Sequence, residues 1–256
     1  MKISYLALIL ALIGISVWSC DPDDDTEEFV IDFGYEYFPL EIGKFMEYRL
    51  DSVIFDTTSI GVTRDTNVWF AREEVVDTFR DLSNELNYRI ERSQRKSSTD
   101  PWEIESVYAA ILKTDQAIRI EDNFRFIKMV FPLRRGDIWD GNIFIDDETI
   151  ITIAGESIEM FKSWSYELDE LDEQAVVNNM PFDSVATIFQ ANNQEGPDPN
   201  LIELRFSKEQ YAKNLGLIYR EMRILDTQCI ADCINDPWED KAQKGFILFQ
   251  TLIDHN

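Results

Sequence analysis

Leu86-Asn87-Tyr88-Arg89-Ile90-Glu91 alternates apolar and polar side chains, the pattern of a half-buried strand whose successive side chains point to opposite faces. The same period of two recurs on both sides of it. Met46, Tyr48 and Leu50 alternate with Glu47, Arg49 and Asp51; Ile118 and Ile120 with Arg119 and Glu121; Ile202, Leu204 and Phe206 with Glu203 and Arg205. In each set the apolar members predict the covered face and the polar members the wet one. Further strands are predicted over 68–79, 104–113, 124–131, 150–154, 163–168, 185–191, 217–225 and 246–253. Short polar connections imply antiparallel pairing, because parallel neighbours need long crossovers. The fold class expected is therefore mainly β: an antiparallel, strongly curved sheet or a lipocalin-like barrel or sandwich, with one or two short helices.

Helical signals are sparse. Ser207-Lys208-Glu209-Gln210 has capping-box spacing, in which Ser207 and Gln210 would satisfy each other's backbone donors, and it predicts a short helix through Tyr211 and Ala212 that stops near Gly216. Asp140-Gly141 predicts a two-residue hairpin turn. The acidic segment 167–179 and the NNQEGPDPN stretch at 192–200 read as surface loops. Two stretches echo each other: FPLEIGKFMEY at 38–48 and FPLRRGDIWDG at 131–141 share Phe, Pro, Leu and Gly in register. Reuse of one strand-entry geometry explains the echo more simply than a duplicated half-domain.

At the N-terminus, Lys2 precedes an almost uncharged run, 3–18, and the small residue Ser19 stands before Cys20. This is a signal-peptide profile, short for a spanning helix, which needs about 20 apolar residues. Val17-Trp18-Ser19-Cys20 resembles a bacterial lipobox, with Val and Trp where Leu and Ala are usual. Residues 1–19 are thus expected to be a lipoprotein signal peptide, Cys20 the lipidated residue, and 20–30 an acidic flexible tether. A lipidated Cys20 would hold the chain on a membrane, since each buried methylene contributes about 0.8 kcal/mol. Asp21, Asp23, Asp24 and Asp25 directly after it resemble the export signal of surface lipoproteins in the Bacteroidota. Residues 31–256 are expected to form a single β-rich domain.

The 256 residues carry 49 acids against 24 bases, a formal net charge of −25, while 45% of residues are hydrophobic; the acidity belongs to the surface of a globule and not to a disordered chain. It also argues against nucleic acid, whose phosphates require clustered cations; even the most basic stretch, 89–96, includes Glu91. The single histidine, His255, sits beside the last residue, a poor place for a Ser-His-Asp or Cys-His device. Structural zinc wants four Cys or His ligands, and beyond Cys20 only Cys229, Cys233 and His255 are present. Cys229 and Cys233 point to a disulfide in an envelope compartment, with free buried thiols or a metal as alternatives. Asp169, Glu170, Asp172 and Glu173, and the run Asp146-Asp147-Glu148, lack calcium-loop spacing and read as solvated. No phosphate-binding Gly-rich loop and no cofactor motif is present, so no catalytic, cofactor-binding or metal residue is assigned.

FPLEIGKFMEYRLDSVIFD at 38–56, RIEDNFRFIKMVFPLRRGDIWDGN at 119–142, YAKNLGLIYREMRILDTQ at 211–228 and GFILFQTLIDHN at 245–256 together resemble uncharacterised lipoproteins of the Bacteroidota. The resemblance implies an anchored, continuous domain and brings no activity. The expectation is a lipoprotein of the outer membrane, facing the cell exterior or alternatively the periplasm. It would be anchored by its N-terminal lipid and act as a non-enzymatic binding or structural module for a protein, glycan or apolar ligand. The alternative is a carboxylate-dependent glycoside hydrolase. Trp69, Trp102, Trp139, Trp164 and Trp238 would stack on sugar in either case, or pack in the core.

Overall fold

Period-two patterning and paired turn residues build most of the described residues into antiparallel hairpins. The computed structural model describes residues 31–194, 200–233 and 235–256, and its compact unit is Asp32–Asn256. Cys20, Asp21, Asp23, Asp24 and Asp25 lie outside the described residues, as does 195–199 of the second expected loop. The strands are β1 (Phe45–Thr58), β2 (Gly61–Arg80), β3 (Leu86–Arg95), β4 (Glu103–Leu112), β5 (Gln116–Glu121), β6 (Phe124–Val130), β7 (Ile138–Trp139), β8 (Ile150–Ile153), β9 (Glu156–Glu159), β10 (Tyr166–Val177), β11 (Met180–Asn192), β12 (Glu203–Ala212), β13 (Gly216–Asp226) and β14 (Lys244–His255). A 3₁₀ turn, Tyr35–Tyr37, precedes them, and one short helix, α1 (Trp238–Lys241), sits between β13 and β14.

Twelve strands form one sheet in the order β6-β5-β4-β3-β2-β1-β14-β13-β12-β11-β10-β7, and β8 pairs with β9 in a separate hairpin. The two edges of the large sheet meet. Ile127 N–H of β6 donates to Gly141 O at 2.8 Å, and the Trp139 indole N–H of β7 donates to Ile127 O at 2.9 Å. The result is a nearly closed antiparallel barrel. Three turns place positive φ at both central residues, as a type I′ turn requires: Asp122-Asn123 and Asn178-Asn179 in the barrel, and Ala154-Gly155 in the β8–β9 hairpin.

Three expectations need correction. Residues 203–212 are strand β12 and not a helix: Ser207, Glu209 and Tyr211 are all buried on one face, and the Ser207 hydroxyl bonds to Gln190 across the sheet instead of capping a helix. The segment 167–179 is not a loop but mostly β10, whose acidic run is absorbed by three irregularities in its pairing with β11. Asp140-Gly141 joins no paired strands. Gly141 is needed for close approach: a Cβ there would lie 2.4 Å from the ring of Tyr166, which is fully buried. The 38–48 and 131–141 echo is a shared strand entry, with Gly43 and Gly136 at φ 89° and 85° just ahead of β1 and β7.

Along the barrel axis the inward side chains form three layers. One end is plugged by an apolar cluster in which Tyr37, Phe38, Phe131 and Leu133 pack on Val75, Ile90, Tyr211 and Leu217. The other end is covered by the β8–β9 hairpin, whose Ile158 packs with Met222 and Ile224. Between them lies a polar layer. Outside the barrel, α1 and Ala242 close a separate cluster around Phe55, Leu225 and Ile247. Cys229 and Cys233 form a disulfide, Cα to Cα 5.6 Å, in the loop before α1.

Candidate functional site

The strand registers bring the polar layer together from eight strands. Glu73 of β2 lies opposite Arg92 of β3, Glu209 of β12 opposite Arg220 of β13, and Arg220 opposite Gln250 of β14; β5 adds Arg119 and Glu121, β6 adds Lys128 and β11 adds Gln190. The charges form a continuous string. Glu73 accepts from Arg92 and from Arg119 at 2.6 Å; Arg119 also meets Glu121; Arg220 meets Glu121 at 3.2 Å and Glu209 at 2.7 Å. Glu209, with no exposed surface, further accepts from Lys128 at 2.9 Å, Gln190 at 2.7 Å and the Tyr211 hydroxyl at 2.6 Å.

This arrangement settles the protonation of the carboxylates. Burial alone would raise the pKa of Glu209, but Lys128 and Arg220 beside it hold it down at about 2. Burial likewise works to raise Glu73 and Glu121, and the facing guanidiniums outweigh it, so both are lowered. Burial lowers the Lys128 ammonium, opposed by Glu209. None of the three carboxyls can hold a proton near neutral pH, whereas a glycoside hydrolase needs one with a raised pKa to protonate the leaving oxygen.

The layer is the floor of a cavity of about 600 Å³, within the range of small-molecule sites. Arg92, Lys128, Glu209, Arg220 and Gln250 face it from below; Phe124, Phe126, Met160, Phe161, Trp164 and Phe246 wall it from above. Phe161 stacks edge-on with Phe124 and with Trp164 at centroid distances of 5.1 and 5.5 Å, so the wall is one aromatic cluster. The hairpin that roofs it is pinned from outside the cavity: Arg205, almost wholly buried, donates through Nε to Glu159 O at 2.9 Å and through Nη1 to Asp226 at 2.7 Å, and Lys244 donates to Ser157 O at 2.6 Å.

The tryptophans divide. Trp164 lines the cavity, Trp139 packs against Tyr166, Trp238 lies on the outer cluster, and Trp102 and Trp69 are covered by Arg95 and Lys96. Asp146 and Glu148 form a local turn, away from the cavity lining. Among the described residues no group of three or more His, Cys, Asp or Glu side chains is placed to hold a metal ion. The polar layer itself was missed from sequence. Arg119, Glu121 and Arg205 were assigned to wet faces by their alternation with apolar neighbours, yet all three point inward; the signal available was charge of both signs recurring at the same depth in neighbouring strands.

No protein-family model matches the chain, and no curated protein matches it. Two crystal structures are similar in fold outline. One is a candidate exported protein with a YmcC-like fold from Bacteroides fragilis, 11% identical over 86% of this chain and 98% of that one, with a TM-score of 0.37. The other is a candidate lipoprotein from Parabacteroides distasonis, also 11% identical over 86% and 98%, with a TM-score of 0.35.

Proposed function

We propose that this protein is a lipid-anchored binding module of the outer membrane, facing the cell exterior, that performs no catalysis and holds an amphipathic small molecule inside its barrel. The observation that carries the reading is the cavity: an aromatic wall over a floor whose carboxylates are held ionised by cationic partners. A site of this kind offers apolar area for affinity and fixed polar groups for orientation. The anchor rests on Cys20 and the outward orientation on Asp21, Asp23, Asp24 and Asp25.

The neutral fluorophore N-phenyl-1-naphthylamine tests the cavity. Full-length protein in lipid nanodiscs is expected to enhance its emission beyond that of a Leu248→Trp variant in the same discs, because Leu248 lines the cavity and an indole there would fill it. Equal emission would remove the binding reading. For the anchor, Cys20→Ala is expected to abolish fatty-acid labelling, and replacing Asp23, Asp24 and Asp25 by Ala to reduce protease access on intact cells; persistent labelling or unchanged access would overturn the respective part.

A further inference from the structure

We infer that the cavity selects an uncharged amphiphile, an apolar body carrying a primary amide or lactam, with Gln250 as the specificity-determining contact for that head; this rests on the binding reading above. Gln250 is fully buried, lines the cavity, and stands between Leu50 of β1 and Arg220 of β13. Neither its Nε2 nor its Oε1 has a protein hydrogen-bond partner. Among the described residues, the only other unpartnered buried side-chain atom of the lining is Ser106 Oγ. A Leu in place of Gln250 would serve the fold at least as well, because burying an amide without partners costs stability. What the amide offers is a donor and an acceptor side by side. A group that answers both at once carries its own N–H and C=O on one side. A primary amide or a lactam does so, with Gln250 Nε2 donating to its oxygen and Oε1 accepting from its nitrogen.

The charges around the cavity form a balanced, alternating string. Glu105, with about half of its side chain exposed, meets Arg92 at 3.7 Å at the rim, and Arg92 leads to Arg119 through Glu73. Arg119 continues through Glu121 to Arg220, and Arg220 through Glu209 to Lys128. Four carboxylates thus alternate with four cations, Glu73 and Arg119 closing the string from behind the lining. Of the charged groups that line the cavity, only Asp122 stands outside the string, and it is exposed to water. A ligand ion of either sign would find no free buried counter-charge, or would take one from an existing pair, and breaking a buried pair is costly. An amide brings no charge, and its two hydrogen bonds to Gln250 replace those it gives up in water. The aromatic wall then takes the apolar body, which a neutral sugar would leave with hydroxyls against Phe161, Trp164 and Phe246.

Displacement of N-phenyl-1-naphthylamine from full-length protein in nanodiscs, with the Leu248→Trp signal subtracted and competitors compared at equal free concentration, tests this with probes of matched chain length. Octanamide is expected to compete at least about tenfold better than octanoate or octylamine. It is also expected to compete better than 2-nonanone, which keeps the shape and the carbonyl but has a methyl in place of the amide nitrogen. Gln250→Leu is expected to melt at the same temperature as the natural chain or higher and to keep its fluorophore signal. Its affinity for octanamide is expected to fall about tenfold, the loss of two hydrogen bonds between neutral groups. Octanoate, octylamine or 2-nonanone competing as well as octanamide, or undiminished octanamide binding by Gln250→Leu, would overturn the head assignment and leave the cavity reading standing. Absence of any fluorophore signal above the Leu248→Trp blank would remove both.

Discussion

Replacing Glu209 by Gln removes the acidic charge that Lys128 and Arg220 share while keeping the volume of the side chain. In the native protein burial works against the charged form and the two cations outweigh it, lowering the carboxyl from 4.5 to about 2. At 1.36 kcal/mol per pKa unit this corresponds to about 3 kcal/mol of stability, of the same order as the ~3–5 kcal/mol lost when one partner of a buried ion pair is removed. The sign follows from the depressed folded value: the contribution is fully present above about pH 4.5 and is lost as pH falls towards about 2. Urea unfolding followed by tryptophan fluorescence is expected to show Glu209→Gln less stable by about 3 kcal/mol at pH 7, with the gap narrowing at pH 3. A gap below ~1 kcal/mol at pH 7, or one that stays constant between the two pH values, would refute the assignment of Glu209 as the ionised hub of the layer.

Gly141→Ala drives a methyl into the Tyr166 ring, and overpacking of this kind costs about 1–3 kcal/mol, measurable as a lowered urea midpoint with an unchanged slope. Arg205→Met removes the bonds that tie β9 to β12 and β13, so amide exchange at Ile150–Ile153 and Glu156–Glu159 is expected to accelerate by at least about tenfold while β2 and β3 keep their protection; uniform acceleration would show that Arg205 holds the whole barrel and not the roof. Mass analysis after alkylation of unreduced, unfolded protein is expected to find neither Cys229 nor Cys233 modified. Reducing that disulfide should lower stability by no more than about 2 kcal/mol, since so short a loop removes little chain entropy.

The barrel was legible wherever a strand has one dry face and one wet face. Met46, Tyr48 and Leu50 follow that rule, and Tyr48 and Leu50 are buried as expected. It fails where both faces are covered. In β12, Leu204 and Phe206 pack on the outer cluster while Arg205, Ser207 and Glu209 face inward, so alternation is preserved but its sense is inverted. Leu86, the first apolar residue of the segment that decided the fold class, is exposed and Asn87 is buried, while Ile90 and Arg92 share the inward face. A buried charge is written in the same letters as a solvated one; only register, which pairs Glu209 with Arg220 across strands, separates the two. Turns were equally ambiguous, for Asn178-Asn179 takes the tight hairpin geometry that Asp140-Gly141 advertised.

The position of β14 also orders events in time. Strands β1 to β6 form one meander and β10 to β13 most of another; β14, held between β1 and β13, joins them through strand pairing at the middle of the sheet. A chain emerging from the ribosome can assemble each arm as it appears, but the seam through the middle of the sheet is the last strand to be made. The polar layer is divided in the same way: Arg92, Arg119 and Glu73 belong to the first arm and Glu209 and Arg220 to the second. Before residues 244–255 join the arms, each arm has an open edge at β1 or β13, and the pairs that cross between them, Lys128 with Glu209 and Glu121 with Arg220, wait to form. The β1–β14 seam pairs residues about 190 to 210 positions apart, and contacts of such long sequence separation make folding slow.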